Sequence, residues 1–163
     1  YTASRGYLDH HAIERIVPGN WVDVSYTAFG KKECRYLIPN EFELNPDVEP
    51  LDSHPGAVCM GGYGEAGLAG CEFFFPLRDC PDHKGIYPVF GRVLEGMDEV
   101  CRLEKVETVP VTDFPIEGVE VNRPVRPEII ERVELELYGA VYPEPVRVRE
   151  PELPECWKDE AAE

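Results

Sequence analysis

No apolar run in this 163-residue chain is long enough to cross a bilayer as a helix. Bases are scarce, with 16 Lys and Arg against 32 Asp and Glu, a formal net charge of −16. A surface that acidic repels phosphate backbones and anionic lipid, which argues against nucleic acid and membranes as partners. The sequence has no C-x-x-C pair and no H-E-x-x-H, so the usual zinc spacings are absent. Its six cysteines, Cys34, Cys59, Cys71, Cys80, Cys101 and Cys156, are scattered. Disulfide frameworks belong mainly to short secreted chains, so free thiols in a reducing, cytoplasmic compartment are expected. The chain opens on Tyr1 rather than Met, with no charged-then-apolar leader behind it. A missing front segment is the expectation.

What is present fits one domain with a sizeable core. Hydrophobic residues make up 43% of the chain, and 16 prolines and 14 glycines divide it into short pieces. Between them lie β-prone runs at 13–17, 21–26, 57–60, 72–75, 87–94, 119–121 and 129–137. Many short strands with turn signals predict a sandwich or barrel. Pro18-Gly19 suits the centre of a type II turn, so 13–26 reads as an antiparallel hairpin. In 129–137, Val133, Leu135 and Leu137 alternate with Glu134 and Glu136, the pattern of a half-buried strand. The spacing of Met97, Val100 and Leu103 predicts a helix over 95–106, with acids in its first turn. Residues 1–7 read as the last turn of a helix stopped by Gly6. From 143 to 163 the composition is Pro- and Glu-rich, which predicts an extended or disordered tail after a domain at 1–142.

Residues 70–77, GCEFFFPL, pose a puzzle. In a strand, Cys71, Phe73, Phe75 and Leu77 share one face, as core residues would. Glu72 and Phe74 share the other, an acid beside a large aromatic. A groove rim would suit both, with the acid solvated and the ring covered by a ligand.

Four blocks together resemble the cyclophilins: RGYLDHHAIERIVPG (5–19), AGCEFFF (69–75), GIYPVFGRVLEGMDEV (85–100) and PVRPEIIERVEL (124–135). The last is similar to the closing strand of bacterial members. The resemblance implies a mainly β fold, a closed eight-stranded antiparallel barrel with capping helices, whose opening strand pair is missing here. It also implies peptidyl-prolyl cis–trans isomerase activity on proline-containing polypeptides, with no metal or other cofactor. Oligomeric state is left open.

Carried over residue by residue, the resemblance makes Arg15 the catalytic arginine and Phe74 the floor of the proline pocket. Tyr87 stands where the family usually has histidine. Asn20 and Trp21 replace a Phe-Met pair, and Trp21 offers a substitute ring cover. Gly61, Gly62 and Tyr63 replace the edge that pairs with substrate backbone. Asp23 and Glu72 replace two glutamines, exchanging neutral donor-acceptors for anions that could clamp Arg15. The tryptophan expected near Cys80, Pro81 and Asp82 has no counterpart. These changes imply weak or altered activity and a preference for basic residues near the proline.

Three other readings compete. A catalytically impaired module would hold proline-containing segments in the same groove. A metal or thiol site could draw on His10, His11, His54, His83 and the cysteines, though without a ligand spacing. A subunit-docking protein would use 119–137 and the tail.

Overall fold

The computed structural model describes residues 1–24, 32–62, 67–114 and 117–150. Among them run eleven short strands: β1 (His11–Ala12), β2 (Arg15–Val17), β3 (Trp21–Asp23), β4 (Leu37–Pro39), β5 (Ala57–Met60), β6 (Leu68–Gly70), β7 (Phe73–Pro76), β8 (Val89–Arg92), β9 (Thr108–Pro110), β10 (Asn122–Pro124) and β11 (Ile129–Ile130). Two α-helices, α1 (Glu41–Leu44) and α2 (Met97–Leu103), and short 3₁₀ turns at Ala3–Arg5, Lys32–Cys34 and Pro81–His83 accompany them. Seven strands make one sheet in the order β8-β5-β7-β3-β2-β10-β9, and β1-β11 and β4-β6 pair separately. Every pairing is antiparallel.

The sheet is built outward from the β2–β3 hairpin. Gly19 sits at φ 74°, the left-handed conformation that the turn demands and that glycine adopts without strain. The described part of the predicted 13–26 hairpin pairs Arg15 with Asp23, Ile16 with Val22 and Val17 with Trp21. β7 then adds to β3, setting Phe74 against Asp23 and Phe75 against Val22. Directly opposed residues point to the same face, and neighbours along a strand to opposite faces. One face therefore carries the row Arg15, Asp23, Phe74. The other carries Ile16, Val22, Phe75.

The second face holds the main core. Ile13, Ile16, Val22 and Val24 pack with Val100 and Leu103 of α2, and Phe73, Phe75, Leu77 and Met97 lean on the cluster. The helix is shorter than the 95–106 the sequence predicts, because Gly96 at φ 84° forms its N-cap. Phe73 also lines a cavity of about 400 Å³ and is only half-buried. At the front, a single 3₁₀ turn over Ala3–Arg5 ends at Gly6, which is left-handed at φ 69°.

Two predicted strands fall elsewhere. Only Ile129–Ile130 of 129–137 pairs, with Ala12 and His11, and Leu135 beyond it stays 44% exposed. The alternation there is real, yet no neighbouring strand among the described residues receives it. The 119–121 run is likewise passed over, and β10 forms one step later. Near the tail, Leu37 N–H donates to the Arg149 carbonyl and Val148 N–H to the Leu37 carbonyl, each at 2.8 Å. The 151–163 part of the predicted tail lies outside the described residues. No helix among the described residues is long and apolar enough to cross a membrane.

Candidate active site

On the first face of the sheet a cleft of about 190 Å³ is lined by Arg15, Trp21, Asp23, Gly61, Gly62, Glu72, Phe74, His83, Tyr87 and Val119. Each sequence-chosen site residue except Tyr63 is among them, and Tyr63 lies outside the described residues. Strand register explains the gathering. Arg15, Asp23 and Phe74 stand in one row, and Trp21, two residues before Asp23, shares their face.

One wall is aromatic. Phe74 is 6% exposed and lies 6.2 Å from the Trp21 ring and 5.7 Å from Tyr87, edge-on to the latter. The imidazole of His83 closes the group, with ring centres 5.5 Å from Trp21, 5.5 Å from Phe74 and 4.9 Å from Tyr87. Such tilted and edge-on contacts suit the charge distribution of aromatic rings. Burial pushes the His83 imidazole below its usual value and the Tyr87 hydroxyl above its own, so both stay neutral at neutral pH. Sequence reasoning weighed His83 only as a metal ligand. Its signal was position: it sits four residues before Tyr87 in a 3₁₀ turn, and Tyr87 N–H donates to its carbonyl at 3.0 Å. Val119 gave no signal of this kind.

The other wall is charged. Arg15 Nη1 donates to Asp23 Oδ2 at 2.9 Å, and its Nε donates to the Glu120 carbonyl at 2.8 Å. The guanidinium carbon lies 5.5 Å from the Trp21 ring centre, joining the two walls. The ion pair foreseen from the two acids thus forms through Asp23.

Glu72 corrects the expectation of a solvated rim acid: it is 3% exposed. The reason is Gly61. A Cβ at that position would lie 2.3 Å from Glu72 Cγ, so the glutamate side chain occupies the room a larger residue would take. Gly61 is also committed within the fold, because its N–H donates to the Glu72 carbonyl and its carbonyl accepts from Gly70 N–H, each at 2.8 Å. At Gly62 a Cβ would meet the β6 backbone at 2.9 Å, so only glycine lets that segment approach β6. Asp23 is also buried, at 5% exposure. Loss of water, and then the Glu72 charge, push its carboxyl up to about 7 against the opposing pull of Arg15.

Cleft and sheet define a cyclophilin-type fold. Two crystal structures of a cyclophilin-type peptidyl-prolyl cis-trans isomerase from Cryptosporidium parvum superpose with a TM-score of 0.57. The one determined in the presence of the dipeptide Ala-Pro is 19% identical, covering 80% of this chain and 77% of its own. At that identity the likeness speaks for the fold. The family model for cyclophilin-type peptidyl-prolyl cis-trans isomerases matches residues 1–144. The chain belongs to that family. Similar curated proteins include a peptidyl-prolyl cis-trans isomerase of Arabidopsis thaliana, 35% identical over 73% of this chain and 71% of its own. The peptidyl-prolyl cis-trans isomerase-like 1 of Aspergillus niger is 32% identical over 74% of each. The human peptidylprolyl isomerase domain and WD repeat-containing protein 1 is 29% identical over 71% of this chain, which spans only 18% of that relative's length.

Proposed function

We propose that the chain catalyses cis–trans isomerisation of Xaa-Pro peptide bonds, with Arg15 as the catalytic donor. The observation that carries this reading is the placement of Arg15 and Phe74 on one face, lining one cleft. Rotation about a peptide bond is opposed by resonance, with a barrier of about 18–20 kcal/mol, and uncatalysed prolyl exchange takes about 10–100 s. No covalent bond has to break. The site needs to bind the twisted amide better than either planar form. In the twisted amide the proline nitrogen regains a lone pair, which an Arg15 N–H can meet. The guanidinium is held by Asp23 and the Glu120 carbonyl, so its fork is oriented before substrate arrives.

The proline ring would sit on Phe74 between Trp21 and Tyr87. Gly61, Gly62, Asp23 and Glu72, which line the same cleft, would bound the space for the residues flanking the proline. On the same reading the substrates are proline-containing polypeptides, the chain works in the cytoplasm, residues 1–142 form the domain and 143–163 its tail. The strands would then belong to a barrel of the family's kind. The bacterial affinity rests on the 124–135 block alone.

The decisive experiment follows isomerisation of an Xaa-Pro peptide. Wild type should accelerate exchange, and Arg15→Ala should lower kcat/KM by roughly 10²–10³-fold, as loss of one transition-state donor does elsewhere. A second reading draws on the Arg15–Asp23 ion pair, which ties up part of the donor: the cleft would bind proline segments without turning them over. Equal inertness of wild type and Arg15→Ala, with peptide still binding to both, would establish that reading.

A further inference from the structure

One polar group on the aromatic wall makes no side-chain hydrogen bond in the ligand-free protein. His83 is 7% exposed, and its Nδ1 is buried without a hydrogen-bond partner. Its Nε2 also has no hydrogen-bond partner among the described residues, and unlike Nδ1 it is not sealed from solvent. The ring lines the cleft, so Nε2 is the nitrogen that a ligand there can reach. The ring is nonetheless held in place. Trp21, Phe74 and Tyr87 surround it, with ring centres at 5.5, 5.5 and 4.9 Å. Its backbone is fixed in the 3₁₀ turn Pro81–His83: His83 N–H donates to the Cys80 carbonyl at 3.0 Å, and the His83 carbonyl accepts from Ile86 and Tyr87 N–H at 2.9 and 3.0 Å. Cys80 N–H is tied in turn to the Ser53 carbonyl at 2.9 Å.

Burying an imidazole that makes no hydrogen bond costs free energy, and an aliphatic side chain would fill the same space without that cost. A ligand that supplies the missing partner accounts for it. Burial holds the ring neutral at neutral pH, so it carries one N–H. On Nδ1 that hydrogen would face no acceptor, whereas on Nε2 it meets the cleft.

We propose that His83 is a specificity-determining residue of the cleft, whose Nε2–H donates to a backbone carbonyl of the bound segment beside the proline ring. A proline-containing segment has a carbonyl on either side of the ring and no N–H at the proline itself. Rings alone would hold the proline by contact and leave such a carbonyl dry and unmatched. The His83 N–H removes that penalty, so the pocket favours a peptide over a merely apolar ligand of the same size. This assignment rests on reading the cleft as a site for proline segments.

Two measurements on the full chain test the proposal. ¹⁵N NMR of the histidine rings should show His83 as the Nε2–H tautomer, with the Nε2 proton shifting when an Xaa-Pro peptide is added. Peptide binding, followed by calorimetry, should weaken about tenfold in His83→Leu, as the loss of one hydrogen bond to a desolvated carbonyl requires. The loss should appear in KM with kcat nearly unchanged, because planar and twisted amides make the contact alike. His83→Gln, whose amide offers an N–H at a similar reach, should recover most of the affinity. An Nδ1–H tautomer in the free protein overturns the proposal. So does a His83→Leu protein that binds as tightly as wild type, or a His83→Gln protein that binds as poorly as His83→Leu. If wild type binds the peptide through His83 without accelerating exchange, the isomerase reading fails and the proposal stands. If wild type neither binds nor turns over the peptide, both fail.

Discussion

The two walls of the cleft meet along β3 and β7 and are held by different physics. Trp21 and Asp23 are two residues apart on β3, and Glu72 and Phe74 are two apart at β7. Yet Trp21, Phe74, His83 and Tyr87 are held by ring packing, which pH barely touches. Arg15, Asp23 and Glu72 form a charged wall, where loss of water and the Glu72 charge push the Asp23 carboxyl up to about 7. Alternation along a strand thus assigns side chains to a face. It does not decide whether that face will be oily or ionic.

Substitutions can break this contrast, beginning with the largest effect. Phe74→Ala removes the ring on which the aromatic wall centres and should cost about 3–5 kcal/mol in denaturant unfolding. The charged wall should show itself next through pH. The folded protein holds the Asp23 proton up to about 7, against an ordinary 3.8. The stability gained from that proton is complete below the ordinary value and is lost as pH rises through about 7. Asp23→Asn should therefore become more stable relative to wild type as pH rises, by on the order of 4 kcal/mol between acid and pH 8. Comparing the two proteins across pH isolates Asp23 from the other acids.

Gly62→Ala tests the seam between the cleft and β6. It should cost about 1–3 kcal/mol, since the new methyl meets backbone rather than a yielding side chain. His83→Leu should do least, within about 1.5 kcal/mol, because a similar apolar volume can fill the gap between the rings. It should leave the pH dependence of stability in place. Were His83→Leu to abolish that dependence, the proton would belong to the aromatic wall and the contrast between the walls would fail.

The sequence was most legible where turn residues bracket a strand. Pro55-Gly56 and Gly61-Gly62 enclose 57–60, and β5 occupies those residues. β4 and β6 are three residues each, and β4 takes its partners from β6 and, through Leu37, from Arg149, pairings between distant segments that no local pattern announces. At 129–137 the pattern was clear and the outcome different, because alternation cannot supply a partner strand. Among site residues, Arg15, Trp21, Asp23 and Phe74 were named through the family resemblance, and the hairpin and its neighbour bring them to one face. Glu72 was placed on the right face at the wrong depth. Its burial depends on a glycine eleven residues earlier, a relation that appears only when β5 and β7 lie side by side. His83 was hidden because it reaches the rings from a turn rather than from the sheet.

Trp21 has a practical consequence. The sequence contains two tryptophans, and the second, Trp157, lies in the C-terminal segment. Replacing Trp157 with Phe would leave one indole, standing 6.2 Å from Phe74 and 5.5 Å from His83. Indole emission shifts in colour with the water around it, so a fluorimeter would read the wetting and filling of the cleft directly, with no dye attached.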